Sequence, residues 1–195
     1  RIKSISQIGL LGINIGPNKD TNNRLNDYIE CLKKFYEVAD YITINISSPN
    51  TEDLRSFHEQ TKLNELLEII EVEKKNLNSK IPIAVKVSPD LDDQEINKIC
   101  EVLLSNNIEV IIISNTSDST RENLKNTQAY QKGGLSGKPI EKKSTKLIAK
   151  FYKILKGRIK IIGVGGVDSG ESAYEKFLVG ADYVQLYTGM VFRGP

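Results

Sequence analysis

One histidine and two cysteines in 195 residues close off several kinds of chemistry at once. A transition-metal centre draws its ligands largely from His and Cys, and His58, Cys31 and Cys100 stand far apart with no ligand spacing among them. The same scarcity removes the Ser–His and Cys–His nucleophile pairs, unless His58 folds back out of the polar segment it occupies. Cys31 and Cys100 each fall on a predicted helix and read as reduced, buried thiols of a cytosolic-type protein. No apolar run approaches the roughly 20 residues of a membrane span, and no signal-peptide pattern is read, although a chain that begins at Arg1 rather than at Met could have lost one. A net charge of +2 carries no argument for a nucleic-acid partner. Lys74, Lys75, Lys142 and Lys143 lie on helices that also carry Glu and read as solvated helix faces. With 39% hydrophobic and 27% charged residues, positions 1–195 read as a single domain or a large part of one.

What the chain does have is a β-branched run that passes directly into small hydrogen-bonding side chains, Ile42-Thr43-Ile44-Asn45-Ile46-Ser47-Ser48-Pro49-Asn50-Thr51. The β-branched residues favour a strand, and Pro49 cannot donate to a ladder and so ends the pairing. The construction recurs. Six strands are expected at Leu10–Ile15, Tyr41–Ile46, Ile83–Val87, Val110–Ser114, Ile159–Gly163 and Tyr183–Tyr187. Between them apolar residues return every three or four positions: Leu25, Ile29, Leu32 and Tyr36; Leu63, Leu66, Leu67 and Ile70; Ile96, Ile99, Leu103 and Leu104; Leu147, Ile148, Phe151 and Leu155. Asp168 with Glu171 reads as the start of a last helix reaching about Val179, with Gly180 as its stop. Alternation of this kind means a parallel sheet with helical crossovers.

The polar residues then gather on one edge. Asn14, Asn45, Ser48, Asn50, Lys86, Asn115, Thr116, Gly165, Gly166, Tyr187 and Thr188 all fall at or just past strand ends, the edge where α/β sheets hold ligands. At any one position ordinary loop composition explains them as well. Across six strands in succession it does not, and Lys86 sits between Val85 and Val87, where an ammonium is costly unless an anion or acceptor meets it. The cluster Gly163-Val164-Gly165-Gly166 offers bare amides to a phosphate or makes a tight strand-to-helix turn; it lacks the spacing of the dinucleotide fingerprint. A phosphate held between the last two strands is the geometry of a (β/α)8 TIM barrel. On that numbering the visible strands are the third to eighth. Such barrels run to about 250 residues, so two βα units are expected upstream of Arg1.

Several motifs together resemble one family. The runs Gly12–Thr21, Asn45–Thr51 with Leu54-Arg55, and Ala84–Asp90 look like dihydroorotate dehydrogenase; so do Ser114-Asn115-Thr116, Lys132–Gly137, Gly163–Gly166 and Gln185-Leu186-Tyr187. The serine after Asn45-Ile46-Ser47 points to the class 2, quinone-linked branch, since class 1 enzymes usually place a cysteine base in a different loop. The resemblance implies FMN on a (β/α)8 barrel and oxidation of (S)-dihydroorotate to orotate in de novo pyrimidine biosynthesis. It further implies electron transfer to a membrane quinone, and a monomer resting peripherally on a bacterial inner membrane or the mitochondrial inner membrane through an amino-terminal region outside this chain. By the same resemblance Asn14, Asn45, Lys86, Ser114, Gly137, Gly165, Gly166, Tyr187 and Thr188 hold the flavin, Asn45, Asn50, Asn115 and Thr116 hold the pyrimidine, and Ser48 is the base, aided by a water or a neighbouring hydroxyl.

The chain departs from the family at Glu52-Asp53, where Pro-Gly usually stands before Leu54-Arg55, in a loop expected to close over substrate. Alternatives remain: another FMN barrel oxidising a reduced pyrimidine, a flavin-free phosphate-binding lyase or isomerase, and a catalytically inert interaction module.

Overall fold

The computed structural model describes residues 9–50, 54–119, 121, 124–127, 129 and 131–194; the expectations at Thr51, Glu52 and Asp53 fall outside them. Six strands form one parallel sheet in sequence order: β1 (Gly12–Ile15), β2 (Tyr41–Asn45), β3 (Ile83–Val87), β4 (Val110–Ile113), β5 (Lys160–Val164) and β6 (Tyr183–Gln185). Between and after them run α1 (Arg24–Phe35), α2 (Gln60–Asn76), α3 (Asp93–Ser105), α4 (Glu141–Leu155), α5 (Gly170–Leu178) and α6 (Thr188–Arg193), with 3-10 turns at Leu54–His58 and Lys138–Ile140.

The sheet curls. Gln185 on β6 donates to the Tyr41 hydroxyl on β2 at 3.3 Å. Four strand spacings of about 4.8 Å would hold these two strands about 19 Å apart in a flat sheet. The Tyr41 ring also covers Gly12, where a Cβ would come within 2.1 Å of it. The arrangement is a partial (β/α)8 barrel, as the strand and helix pattern predicted.

The strands read as unbroken apolar runs because both faces are covered, and Ile42, Thr43 and Ile44 are all buried. The core lies between strands and helices, where Ile44, Val85, Ile111 and Ile161 meet Leu67, Ile99, Ile148 and Phe151. Truncating such a residue, for instance Leu67→Ala, costs about 2–5 kcal/mol. Asn23 caps α1 through Asn26 N at 3.0 Å, and Asp92 with Glu95 forms a reciprocal capping box on α3.

The structure corrects several expected boundaries. β1 begins at Gly12, and Leu10 is exposed. β2 ends at Asn45 and β4 at Ile113, while β5 lies one residue later than expected. β6 stops at Gln185, and a helix that the periodicity did not reveal, α6, follows Tyr187. The box that opens α5 is Ser169 with Ser172 rather than Asp168 with Glu171, because the Ser172 hydroxyl receives the Asp168 and Ser169 amides at 2.9 and 3.0 Å. Cys100 is buried as expected, whereas Cys31 is only half-buried. No helix among the described residues is long and apolar enough to cross a membrane.

Candidate active site

Parallel pairing places the carboxyl ends of the strands on one rim, with Asn45 opposite Lys86 and Lys86 opposite Ile112 in register. Past β4 the backbone divides its donors: Ser114 N goes to Val164 O at 3.0 Å and Asn115 N to Val87 O at 2.9 Å. The Ser114–Thr116 segment is thereby fixed to both neighbouring strands.

A cavity of about 160 Å³ opens on this rim. Lys86, Ser114, Asn115, Thr116, Gly137, Gly165, Gly166, Tyr187 and Thr188, nine of the residues singled out in the sequence, line it. Ser136, Val164 and Leu186, which fall inside the Lys132–Gly137, Gly163–Gly166 and Gln185–Tyr187 motifs, line it as well, as do Gly189 directly after Thr188 and the unanticipated Ile140 and Val167. Ile140 and Val167 are apolar positions without a distinguishing side chain.

Lys86 is half-buried, and burial lowers its ammonium below the ordinary lysine range. Among the described residues it has no ion-pair partner, so the charge is free for an anionic or acceptor ligand. Both residues of the Gly165–Gly166 turn have positive φ, +118 and +77, and at Gly166 an added Cβ would also lie 2.6 Å from the Glu141 Cα. The Gly137 φ is +74, and Thr188 donates to Ser136 across the mouth at 3.0 Å.

Beside the cavity, Asn45, Ser47 and Asn115 form a closed network. Asn115 Nδ2 donates to Asn45 Oδ1 at 3.1 Å and to Ser47 Oγ at 3.0 Å, and Ser47 Oγ donates to Lys86 O at 2.7 Å. Asn115 Oδ1 receives Thr116 N at 2.7 Å, and Tyr28 braces Asn45 O at 2.7 Å. Both Asn115 amide hydrogens are thus used, leaving Asn45 Nδ2 as the carboxamide donor outside the network. Asn45 meets the cavity only through this network.

Ser48 and Asn50 stand on the neighbouring loop and do not line the cavity; the Asn50 amide donates to Ser48 Oγ at 3.3 Å. Pro49 of that loop touches the glycine-rich segment, since a Cβ on Gly134 would lie 1.8 Å from Thr116 Oγ1 and 3.0 Å from Pro49 Cγ. Leu135 and Ser117 exchange backbone hydrogen bonds at 2.6 and 3.0 Å, which holds the segment over the site. Asn14 is exposed on β1 and is not brought to the cavity.

Behind the loops lies an ionic cluster. Asp90 pairs with Arg55 at 3.2 Å and with Lys143, and receives Ser117 Oγ at 2.6 Å and Asp118 N at 3.1 Å. Lys143 therefore serves the site rather than a solvated face, which its helical surroundings did not disclose. His58 is buried, and burial followed by the Arg55 charge pushes it down to about 4. No hydrogen bond joins it to Ser48 among the described residues, and its Nε2 has no partner.

An ammonium, bare amides and hydroxyls around one opening fit an anionic phosphate ester, and the carboxamide pair beside it fits a ring of alternating C=O and N–H groups. The dihydroorotate dehydrogenase family profile matches residues 3–195. A dihydroorotate dehydrogenase (quinone) from Idiomarina loihiensis is 44% identical over 200 residues, covering 100% of this chain and 60% of the relative. One from Vibrio parahaemolyticus is 47% identical over 194 residues, covering 95% and 57%. The ligand-free DHODH of Eimeria tenella superposes with a TM-score of 0.93 at 34% identity, covering 99% of this chain and 58% of that one. The chain spans about 60% of the length of the curated relatives it matches. By this match and the arrangement of its rim, the chain belongs to the dihydroorotate dehydrogenase family.

Proposed function

We propose that the protein oxidises (S)-dihydroorotate to orotate in pyrimidine biosynthesis, using FMN held in the cavity and passing the electrons to a membrane quinone. The observation that carries this reading is the convergence of Lys86 and the Gly165–Gly166 turn on one cavity, with the Asn45–Asn115 pair beside it. Residues 1–195 form the catalytic part of a single FMN-binding barrel. The protein is read as a monomer lying peripherally on a membrane; the quinone in its relatives' names supports a membrane-borne electron acceptor and does not bear on the monomer.

The donors of the rim divide the work. Gly165, Gly166, Tyr187 and Thr188 would hold the phosphate end and Lys86, Ser114 and Gly137 the ring end, with Asn45 acting from beside the cavity; a flavin contact at Asn14 would have to lie outside the cavity lining. Asn45, Asn50, Asn115 and Thr116 hold the pyrimidine. FMN, when bound, supplies the hydride acceptor. Ser48 Oγ would take the proton from the neighbouring ring carbon of the substrate while its own hydroxyl proton passes to a water or a neighbouring hydroxyl. The Asn50 amide pointing at that oxygen favours negative charge on it and so assists an otherwise weak base. Lys86 places positive charge where the ring system gains electron density.

Anaerobic addition of dihydroorotate to the full-length protein, followed by flavin absorbance without added acceptor, tests this reading. Rapid bleaching is expected. A yellow protein left oxidised overturns the substrate, and a colourless protein that takes up no FMN overturns the cofactor.

A further inference from the structure

Lys176 on α5 is fully buried, and among the described residues it has no ion-pair partner. Its Nζ donates to Ser144 Oγ at 2.7 Å and to Thr145 Oγ1 at 3.1 Å, both on α4. A buried ammonium satisfied only by hydroxyls is costly, and burial accordingly pushes Lys176 down to about 8, with Glu141 opposing the shift. A lysine that served packing alone would be replaced to advantage by methionine, so its charge calls for a use.

The hydrogen bonds lead to one. With a lone pair of Ser144 Oγ occupied by the ammonium, the hydroxyl hydrogen is directed at a carbonyl, and Gly165 O is the nearer at 2.9 Å, against 3.1 Å for Glu141 O. A trans peptide sets N–H opposite C=O. Drawing on the Gly165 carbonyl from behind therefore strengthens the Gly166 N–H on the far side of the same peptide, and hydrogen bonds in such a chain reinforce one another. Gly165 and Gly166 line the cavity, whereas Ser144 and Lys176 do not. The charge thus reaches the turn without occupying the ligand's space.

We propose that Lys176 is a positioning residue for the phosphate of the bound flavin, acting through the Ser144 hydroxyl and the Gly165 carbonyl to prime the Gly166 amide. This rests on the flavin reading of the site. The test uses the full-length protein stripped of flavin and compares affinities for FMN and for riboflavin, which lacks the phosphate. In Lys176→Met the FMN affinity is expected to fall about tenfold while riboflavin affinity holds, and Ser144→Ala is expected to show the same selectivity. The phosphorus resonance of bound FMN should also move in both variants. Equal losses for the two ligands, or no loss with an unmoved phosphorus signal, overturn the relay. Should Lys176→Met fail to fold, Ser144→Ala alone decides by the same criteria. A wild-type protein that binds neither flavin overturns the flavin reading and the relay with it, one that binds both equally overturns the phosphate contact and the relay, and unaltered variants beside a selective wild type overturn the relay only.

Discussion

Arg55, on the turn after the Ser48 loop, lies 3.2 Å from Asp90, which follows β3, and so ties one active-site loop to the next. The Arg55 guanidinium also reaches Asp118 at 2.5 Å beyond β4, and Lys143 completes the cluster from α4. Three loops and a helix therefore share one carboxylate. Asp90→Asn is expected to cost about 2 kcal/mol of stability and to raise the KM for dihydroorotate more than it lowers kcat, since it loosens loops without touching the base. Burial pushes the Asp90 carboxyl up, but hydrogen bonds from Lys143, Ser117 and Asp118 outweigh it and hold the group well below the usual carboxylate range. Such a group contributes stability that is complete above its unfolded pKa of about 3.9 and is lost as pH falls below that. Denaturant midpoints of wild type and Asp90→Asn should converge in strong acid, and a constant gap down to that range would contradict the assignment.

Much of this was legible in the sequence because strands buried on both faces must be apolar, and Ile42–Ile46 or Val110–Ile113 announce themselves. The glycine turn and Lys86 stood out because their residue types are costly where they sit. The ionic cluster was hidden because Arg55, Asp90, Asp118 and Lys143 are joined only by the closing of the barrel rim. Helix α5 was misleading in a different way: Tyr174, Phe177 and Leu178 are exposed, while Ser172 and Lys176 are buried. Its polar residues carry the inward contacts, the reverse of what periodicity assumes. Helix α6 has six residues, too few for a period to emerge.

Lys86→Met separates stability from binding. The half-buried ammonium has no ion-pair partner among the described residues, so removing its charge should raise the thermal midpoint of the flavin-free protein. The same change should weaken FMN binding about tenfold or more, since one charge-assisted contact is lost. Calorimetry of the flavin-free protein together with a flavin titration gives both signs. If affinity and flavin reduction rate both hold, Lys86 does not face the ligand.

Ser48→Ala removes the proposed base while leaving the cavity lining unchanged. Flavin should remain bound, and its reduction by dihydroorotate should slow by about 10²–10⁴-fold, the usual contribution of a general base. Stopped-flow absorbance under anaerobic conditions measures this directly. A variant that keeps most of its rate would shift the base elsewhere.

Gly134→Ala tests the packing of the glycine-rich segment over the site. The added Cβ would meet Thr116 Oγ1 at 1.8 Å and Pro49 Cγ at 3.0 Å, so the segment and the Thr116 loop must move apart. The expected cost is about 1–3 kcal/mol, with a raised substrate KM because Thr116 is displaced. The added Cβ would also lie 2.4 Å from the Thr116 Cβ, which both serine and alanine retain, so neither Thr116→Ser nor Thr116→Ala should rescue the variant.

His58 sets a pH dependence of the opposite origin to that of Asp90. Burial first, and the Arg55 charge second, lower it to about 4, so the folded protein keeps the ring neutral where an unfolded chain would protonate it at about 6.5. As pH falls from about 6.5 to 4, the unfolded state binds a proton that the folded state refuses, and stability declines through that window by on the order of 3 kcal/mol. Above it the contribution is constant. His58→Gln cannot titrate there, so its unfolding free energy should stay level between pH 7 and pH 4.5 while that of the wild type falls. Parallel curves for the two proteins would show that the imidazole is protonated as readily inside the fold as outside it.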